Sequence, residues 1–298
     1  MTKVICTGLA VLDHVFNLST IPKKPIKSFA KDYFVSGGGN AATAAVAVSR
    51  AGGGAIFWGR LGDDHNGDLI LRELEEFGVD VRDVFRLPGV KSGVSSVLID
   101  KKGERLVTNY SDLNLFSGTS MLPLERLEEV DAVLVDFRWQ EGAVQTASYA
   151  RKIGIPVILD ADLTPDGMNE DVIKNSSHVL FSKPALDEFS GGKSKKSALS
   201  FAKKFNNGWV GVTDGEYGTY WLEKDSLRHF QAFQVKTIDT LGAGDVFHGI
   251  FALGLAEGKT EEQAISFASA GAAIHCSKTG GRKSIPDREE IHNFLKNY

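Results

Sequence analysis

The apolar positions of the chain fall into short β-branched runs and longer amphipathic stretches that take turns along its length. "KVICTGLAVLD" reads as a strand, "AATAAVAVSRAG" as an Ala-rich helix closing on Gly52, "AIFWGRLG" as a strand and "GDLILRELEEFG" as an amphipathic helix ending at Gly78. The second half repeats the rhythm through "DAVLVDF", "EGAVQTASYARKIG", "PVILDAD", "HVLFSKP", "ALSFAKKFNNG" and "WVGVTDG". Strand, helix and short join, repeated in this way, predict right-handed βαβ units and an α/β, doubly wound, mostly parallel sheet with helices on both faces. In such sheets ligands bind beyond the carboxyl ends of the strands. Two stretches break the rhythm. "NLSTIPKKPIKSFAKDYFVSGG" and "GVKSGVSSVLIDKKGERLVTNYSDLNLFSG" alternate at period two and read as antiparallel, the second with a hairpin turn at Asp100-Lys101-Lys102-Gly103. Insertions at about 14–36 and 90–118 are therefore expected to form a small β lid over the ligand edge of one domain spanning 1–298; plain edge hairpins are the alternative.

Composition narrows the function classes. With 298 residues, 42% hydrophobic and 24% charged, the chain can bury a substantial core. Its net charge of −4 gives no basic field for nucleic acid or an anionic membrane, so neither is an expected partner. Cys6 and Cys276 are the two cysteines and form no Cys-x-x-Cys pair, which weighs against zinc fingers and disulfide scaffolds and fits a reducing cytoplasm. No run of 18 apolar residues occurs, and "MTKVICTGLAVLDHV" lacks a leader's cleavage signal, so a cytoplasmic protein is expected.

The chemistry concentrates in "DTLGAGDVFHG", residues 239–249. Glycine inside a helix costs roughly 1 kcal/mol, so Gly242 and Gly244 beside an apolar helical run call for a reason other than packing. A helix N-terminus offers unpaired N–H groups and partial positive charge, and glycines let backbone approach an anion closely. Asp245, in the first turn, could take a proton from an attacking hydroxyl. Simple N-capping by Asp239 or Asp245 accounts for one aspartate but not for the Gly-Ala-Gly between two.

"DTLGAGD" resembles the C-terminal signature of the ribokinase-like (PfkB) carbohydrate kinases. "GGGNAATAAVAVSRAGGGAIFWGRLGDDHNGDLILRELEEFGVD" resembles their N-terminal signature, and "VTDGEYG" and "SIPDREEI" fall in matching order. The resemblance covers nearly the whole chain. It implies phosphorylation of a sugar hydroxyl by ATP, with Asp245 as base and Gly242, Ala243 and Gly244 as anion hole. It also implies that Asp13, Gly38, Gly39, Asn40 and Thr43 contact the sugar, Thr43 standing where many members carry asparagine. Thr213, Gly215, Gly218 and Ser269 are then expected at the nucleotide.

Two motifs depart from the family pattern. Pro184-Ala185-Leu186-Asp187-Glu188 lacks the asparagine of a Pro-Asn-x-x-Glu stretch, leaving Glu188 as the expected magnesium-linked carboxylate; Asp160-Ala161-Asp162-Leu163-Thr164 lacks an arginine. Mg²⁺ is expected with ATP, held mostly by phosphates and waters. A monovalent cation such as K⁺, around Asp239 and the loop up to Ser284, is implied by the resemblance alone; a homodimer through the lid is expected both from the resemblance and because exposed strand edges call for a partner.

For substrate choice, Lys27, Asn109 and Arg138 stand out as polar groups at the lid and strand edge. Singly, each has an ordinary role: Lys27 solvated, Asn109 in a turn, Arg138 paired with Asp136 or Glu141. Together with "KGER", "RW" and "GGR" the set resembles the sulfofructose kinase branch, which implies phosphorylation of 6-deoxy-6-sulfofructose at O1. A fructokinase, ribokinase or other neutral-sugar or nucleoside kinase is the alternative within the family, and a nucleotide-dependent sugar sensor without catalysis is the alternative outside it. A dinucleotide oxidoreductase is set aside, because no Gly-x-Gly-x-x-Gly follows the first strand.

Overall fold

The structure is a computed structural model and describes residues 1–101, 103–117, 122–165 and 167–298. Along the chain the strands are β1 (Lys3–Thr7), β2 (Val11–Asn17), β3 (Asp32–Gly38), β4 (Gly54–Trp58), β5 (Arg60–Gly62), β6 (Phe85–Leu87) and β7 (Gly93–Ile99). They continue as β8 (Arg105–Tyr110), β9 (Ala132–Asp136), β10 (Val157–Ala161), β11 (His178–Ser182), β12 (Trp209–Thr213), β13 (Thr219–Glu223) and β14 (Ser226–Phe230). The helices are α1 (Asn40–Arg50), α2 (His65–Glu76), α3 (Gln140–Ile153), α4 (Glu170–Asn175) and α5 (Lys183–Ser190). After them come α6 (Lys195–Ala202), α7 (Ala243–Ala256), α8 (Glu261–Cys276) and α9 (Arg288–Lys296).

The main sheet has the order β14-β13-β12-β11-β10-β9-β1-β4. Strands β12 to β4 run parallel, and β13 and β14 add an antiparallel edge. Period-two alternation divides its side chains between two cores. Val4, Cys6, Leu134, Ile158 and Leu180 face one core with α1, α7 and α8; Ile5, Val133, Val135, Leu159 and Phe181 face the other with α3, α5 and α6. Both faces are covered, which is why these strands read as continuous apolar runs rather than as alternating ones. Helix ends follow local chemistry. Thr260 with Gln263 and Asp287 with Glu290 form capping boxes, and Gly154 closes α3 in the left-handed conformation.

A second sheet, β3-β2-β7-β8, is built from the two period-two stretches, with β2 and β7 parallel and the outer pairs antiparallel. Lys102, in the expected hairpin turn, and Gly118, at the end of the second insertion, lie outside the described residues.

Two expected strands each prove to be two. "KVICTGLAVLD" breaks at Gly8–Ala10, so β1 stays in the main sheet while β2 enters the small one. A Cβ on Gly8 would collide with the Asp136 carboxylate, so that crossing point requires glycine. Asp13 therefore sits within a small-sheet strand and not at the end of the first strand. "AIFWGRLG" likewise splits at Gly59 into β4 and β5.

Candidate active site

Helix α7 starts on Gly242, held at φ 76° in the left-handed region, and no side chain caps it. Among the described residues, the N–H groups of Gly242, Gly244 and Asp245 have no partner. The Ala243 N–H is not free: it donates to the Thr240 carbonyl at 3.2 Å, which removes it from the expected anion hole in this conformation. The remaining amides and the helix dipole make a seat for negative charge.

Two cavities meet at this helix end. One, of about 250 Å³, is lined by Gly242 and Asp245; the other, of about 520 Å³, by Ala243 and Gly244. The larger groove also carries Thr213, Gly215, Gly218 and Ser269, all four of the residues expected at a nucleotide. Gly218 is at φ 84°, and a Cβ there would strike the Phe230 carbonyl, so the Thr213–Gly218 turn can lie flat against β14 only with glycine.

The smaller cavity is roofed by the small sheet. Its register places Asp13 opposite Ser36 on β3 and Ser95 on β7, and Ser95 opposite Asn109 on β8. One transverse row thus delivers Ser36, Asp13, Ser95 and Asn109 to the cavity wall. The roof meets the floor at Gly38, Gly39, Asn40 and Thr43, which also line the cavity. Burial pushes the Asp13 carboxyl above its ordinary range, while the Ser95 hydroxyl and the Arg282 charge pull it down.

Beneath lies a carboxylate cluster. Burial raises the Asp245 pKa well above the usual carboxylate value, and Asp160, Asp162 and Asp136 raise it further against the Arg282 charge. Asp136 is pushed up to about 6 by burial, although it accepts the N–H groups of Leu9 (2.8 Å), Ala41 (3.1 Å) and Arg138 (2.8 Å). The bond to Ala41 makes it an external cap for α1, whose own N-cap, Gly39, has no side chain to offer. Asp160 accepts from Asn40 at 3.3 Å and lies 3.2 Å from Nδ1 of buried His248, off the line of a hydrogen bond.

The charge that balances this wall is Arg282, only 2% exposed. It donates to Thr43 Oγ1 (3.3 Å), Glu73 (2.9 Å) and the Gly38 carbonyl (2.8 Å), tying the C-terminal loop to α1, α2 and β3. A Cβ on Gly37 would occupy the space of the Arg282–Glu73 pair, and one on Gly38 that of Asp13, which explains why the triplet preceding Asn40 is bare. Sequence reading missed Arg282 and His275 as cavity residues, because neither a lone arginine after Gly-Gly nor a histidine in "AAIHCS" signals burial. Ser36 and Ser95 were findable: they share Asp13's face once the strands are in register.

Other expected residues are placed differently. Arg138 lines the cavity, and its guanidinium has no partner among the described residues; only its backbone N–H meets Asp136, so the expected ion pair with Asp136 or Glu141 is not made. Lys27 lies on the exposed segment after β2, 5.6 Å over the Phe29 ring, and lines neither cavity, which corrects its convergence with Asn109 and Arg138. The polar Pro-Lys run around it keeps that segment in solvent. Glu188 is exposed on α5 and also lines neither cavity. No group of three or more His, Cys, Asp or Glu able to hold a metal exists among the described residues, so Mg²⁺ finds no carboxylate cage at Glu188. Asp239 accepts the Leu241 N–H at 2.9 Å, and Ser284 bonds His275 at 2.8 Å.

The model of the pfkB family carbohydrate kinases matches residues 1–288. The chain belongs to this family. It is a carbohydrate kinase, a phosphotransferase acting on a hydroxyl group. Among curated relatives, ribokinase from Bacillus subtilis (strain 168) is 27% identical over 307 residues, covering 99% of this chain and all of the relative. Among solved structures, one from Agrobacterium tumefaciens assigned as a ribokinase is 37% identical with a TM-score of 0.95, covering 99% of this chain and 98% of that one. Arabidopsis thaliana ribokinase, solved with ribose and ATP, shares the fold at a TM-score of 0.86 and 24% identity, covering 99% of this chain. No helix among the described residues is long and apolar enough to cross a membrane.

Proposed function

We propose that this PfkB kinase transfers the γ-phosphoryl group of ATP to a primary hydroxyl of a sugar that carries an anionic group at its far end. The observation behind the transfer is the position of the α7 N-terminus, with Asp245 facing the roofed cavity and Gly244 facing the groove. The sugar hydroxyl lies against Asp245, which takes its proton as the oxygen bonds to the γ-phosphorus and the bond to the β-phosphate oxygen breaks. The free amides of Gly242 and Gly244 face the charge on the transferring group. Asp13 and the serines of its row accept and donate to ring hydroxyls, and the small sheet keeps water from competing as acceptor.

Arg138 supports the anionic sugar. A cation without a protein partner on a cavity wall, near Asn109 and Ser111, suits an oxyanion with several acceptors. 6-Deoxy-6-sulfofructose, phosphorylated at O1, is the favoured candidate, with Lys27 no longer part of the argument. A neutral pentose is the second reading, favoured by the ribokinase names of the relatives. ADP release with ATP and magnesium, compared among ribose, fructose and 6-deoxy-6-sulfofructose, separates the two. If none of the sugars tested elicits ADP release, the sensor reading is revived. The outer face of the small sheet carries Tyr33, Leu106 and Tyr110, each about half exposed, and we read it as the seat of a second copy, to be checked by sedimentation.

A further inference from the structure

The family resemblance implies a monovalent cation between Asp239 and the loop ending at Ser284, and the residues in that place do not fit one. An alkali ion there needs oxygen lone pairs turned toward it. The Leu241, Ser284 and Asp239 oxygens already have partners within the protein. The Leu241 carbonyl lies 2.7 Å from Nε2 of His275, the Ser284 hydroxyl 2.8 Å from its Nδ1, and the Asp239 carboxylate takes the Leu241 N–H at 2.9 Å. The His275 ring, 3% exposed at the end of α8, stands between the two loops.

We infer that the His275 imidazole takes the place of the monovalent cation, fastening the anion-hole loop to the C-terminal loop, so that the kinase works without potassium. A carbonyl can only accept, so Nε2 carries a proton toward Leu241, while Nδ1 meets the Ser284 hydroxyl on the other loop. The Ser284 oxygen also lies 2.7 Å from the Gly281 carbonyl, and Gly281 packs under Ser36 of the roof. The ring therefore holds the residue immediately before Gly242 while its partner reaches the loop beneath the small sheet.

The role of His275 as a positioning residue builds on the phosphoryl-transfer reading, but its test does not need it. The purified protein is melted with and without KCl, ionic strength being kept constant with tetramethylammonium chloride, and ADP release is followed in the same buffers. Wild type is expected to give the same Tm and turnover in both. His275→Ala is expected to melt lower and turn over several-fold more slowly without potassium, with KCl raising its Tm and recovering part of its rate. His275→Gln, which keeps a donor and an acceptor, is expected to remain indifferent to KCl. A wild-type Tm or rate that rises several-fold or by several degrees with KCl overturns the inference, and so does a folded His275→Ala protein that ignores potassium. Because the melting arm needs no substrate, it decides even if none of the sugars tested is phosphorylated.

Discussion

The two cavities that share the start of α7 are built from opposite materials. The smaller one is crowded with ionisable side chains: Asp13, Arg138, Asp162, Asp245, His275 and Arg282. The larger one is walled by glycine, alanine, threonine and phenylalanine, with only Glu216 and Cys276 able to titrate among the described residues. On the proposed function, the difference follows from what each must recognise. A sugar is distinguished by where its hydroxyls point, and that takes individually aimed side chains. A nucleotide's phosphates can be met by backbone amides, so small residues that let the main chain come close suffice there. Substitutions on one side should therefore alter sugar kinetics through charge, and those on the other should alter ATP kinetics through shape.

The largest effect expected from this division is at Asp245. Asp245→Asn should lower turnover about 10²- to 10⁴-fold, leaving ADP affinity by calorimetry near wild type, since the carboxylate faces the sugar. A loss of nucleotide binding of similar size would break the division. Next comes Arg138→Ala. Removing one charge-assisted contact should raise KM for an anionic sugar about 10- to 100-fold, with KM for a neutral sugar and for ATP unchanged. Equal effects on both sugars would assign Arg138 to structure.

Gly244 sharpens the other side. It is helical, lines the groove, and has open space where a Cβ would go. Gly244→Ala should raise KM for ATP several-fold while stabilising the helix by up to about 1 kcal/mol, an opposition visible by pairing steady-state kinetics with thermal melts. The smallest effect concerns pH. A carboxyl whose folded pKa is raised gains stability as pH falls through that pKa and loses it as pH rises. Asp245→Asn should thus melt a few degrees higher than wild type at neutral pH and above, the gap closing on acidification; an unchanged gap would mean the carboxylate is not under strain. The charges of Asp160, Asp162 and Asp136 add to burial in raising it, so the effect depends on the whole cluster.

How far the sequence disclosed all this depended on whether a role is local. The α7 turn was legible, because glycine pairs at a helix mouth declare their purpose within seven residues. The main sheet was legible too, since doubly covered strands are uniformly apolar. The break at Gly8 was hidden by an apolar pattern that runs through it, and so Asp13 was read onto the wrong strand. Arg282 and His275 escaped because their partners lie far along the chain: Glu73 and Gly38 for one, Leu241 for the other. Lys27 erred in the reverse direction, given a destination when its segment is simply solvated.

The row Ser36–Asp13–Ser95–Asn109 has a consequence for engineering. Neighbouring rows of the same pleat point outward, where Tyr33, Phe16, Leu98 and Leu106 stand in line on the face read as the seat of a second copy. Odd and even positions along these strands therefore answer to different selectors. A library confined to the inner row can retrain sugar choice without touching assembly, whereas a single-residue insertion in β2 exchanges the two alphabets at once.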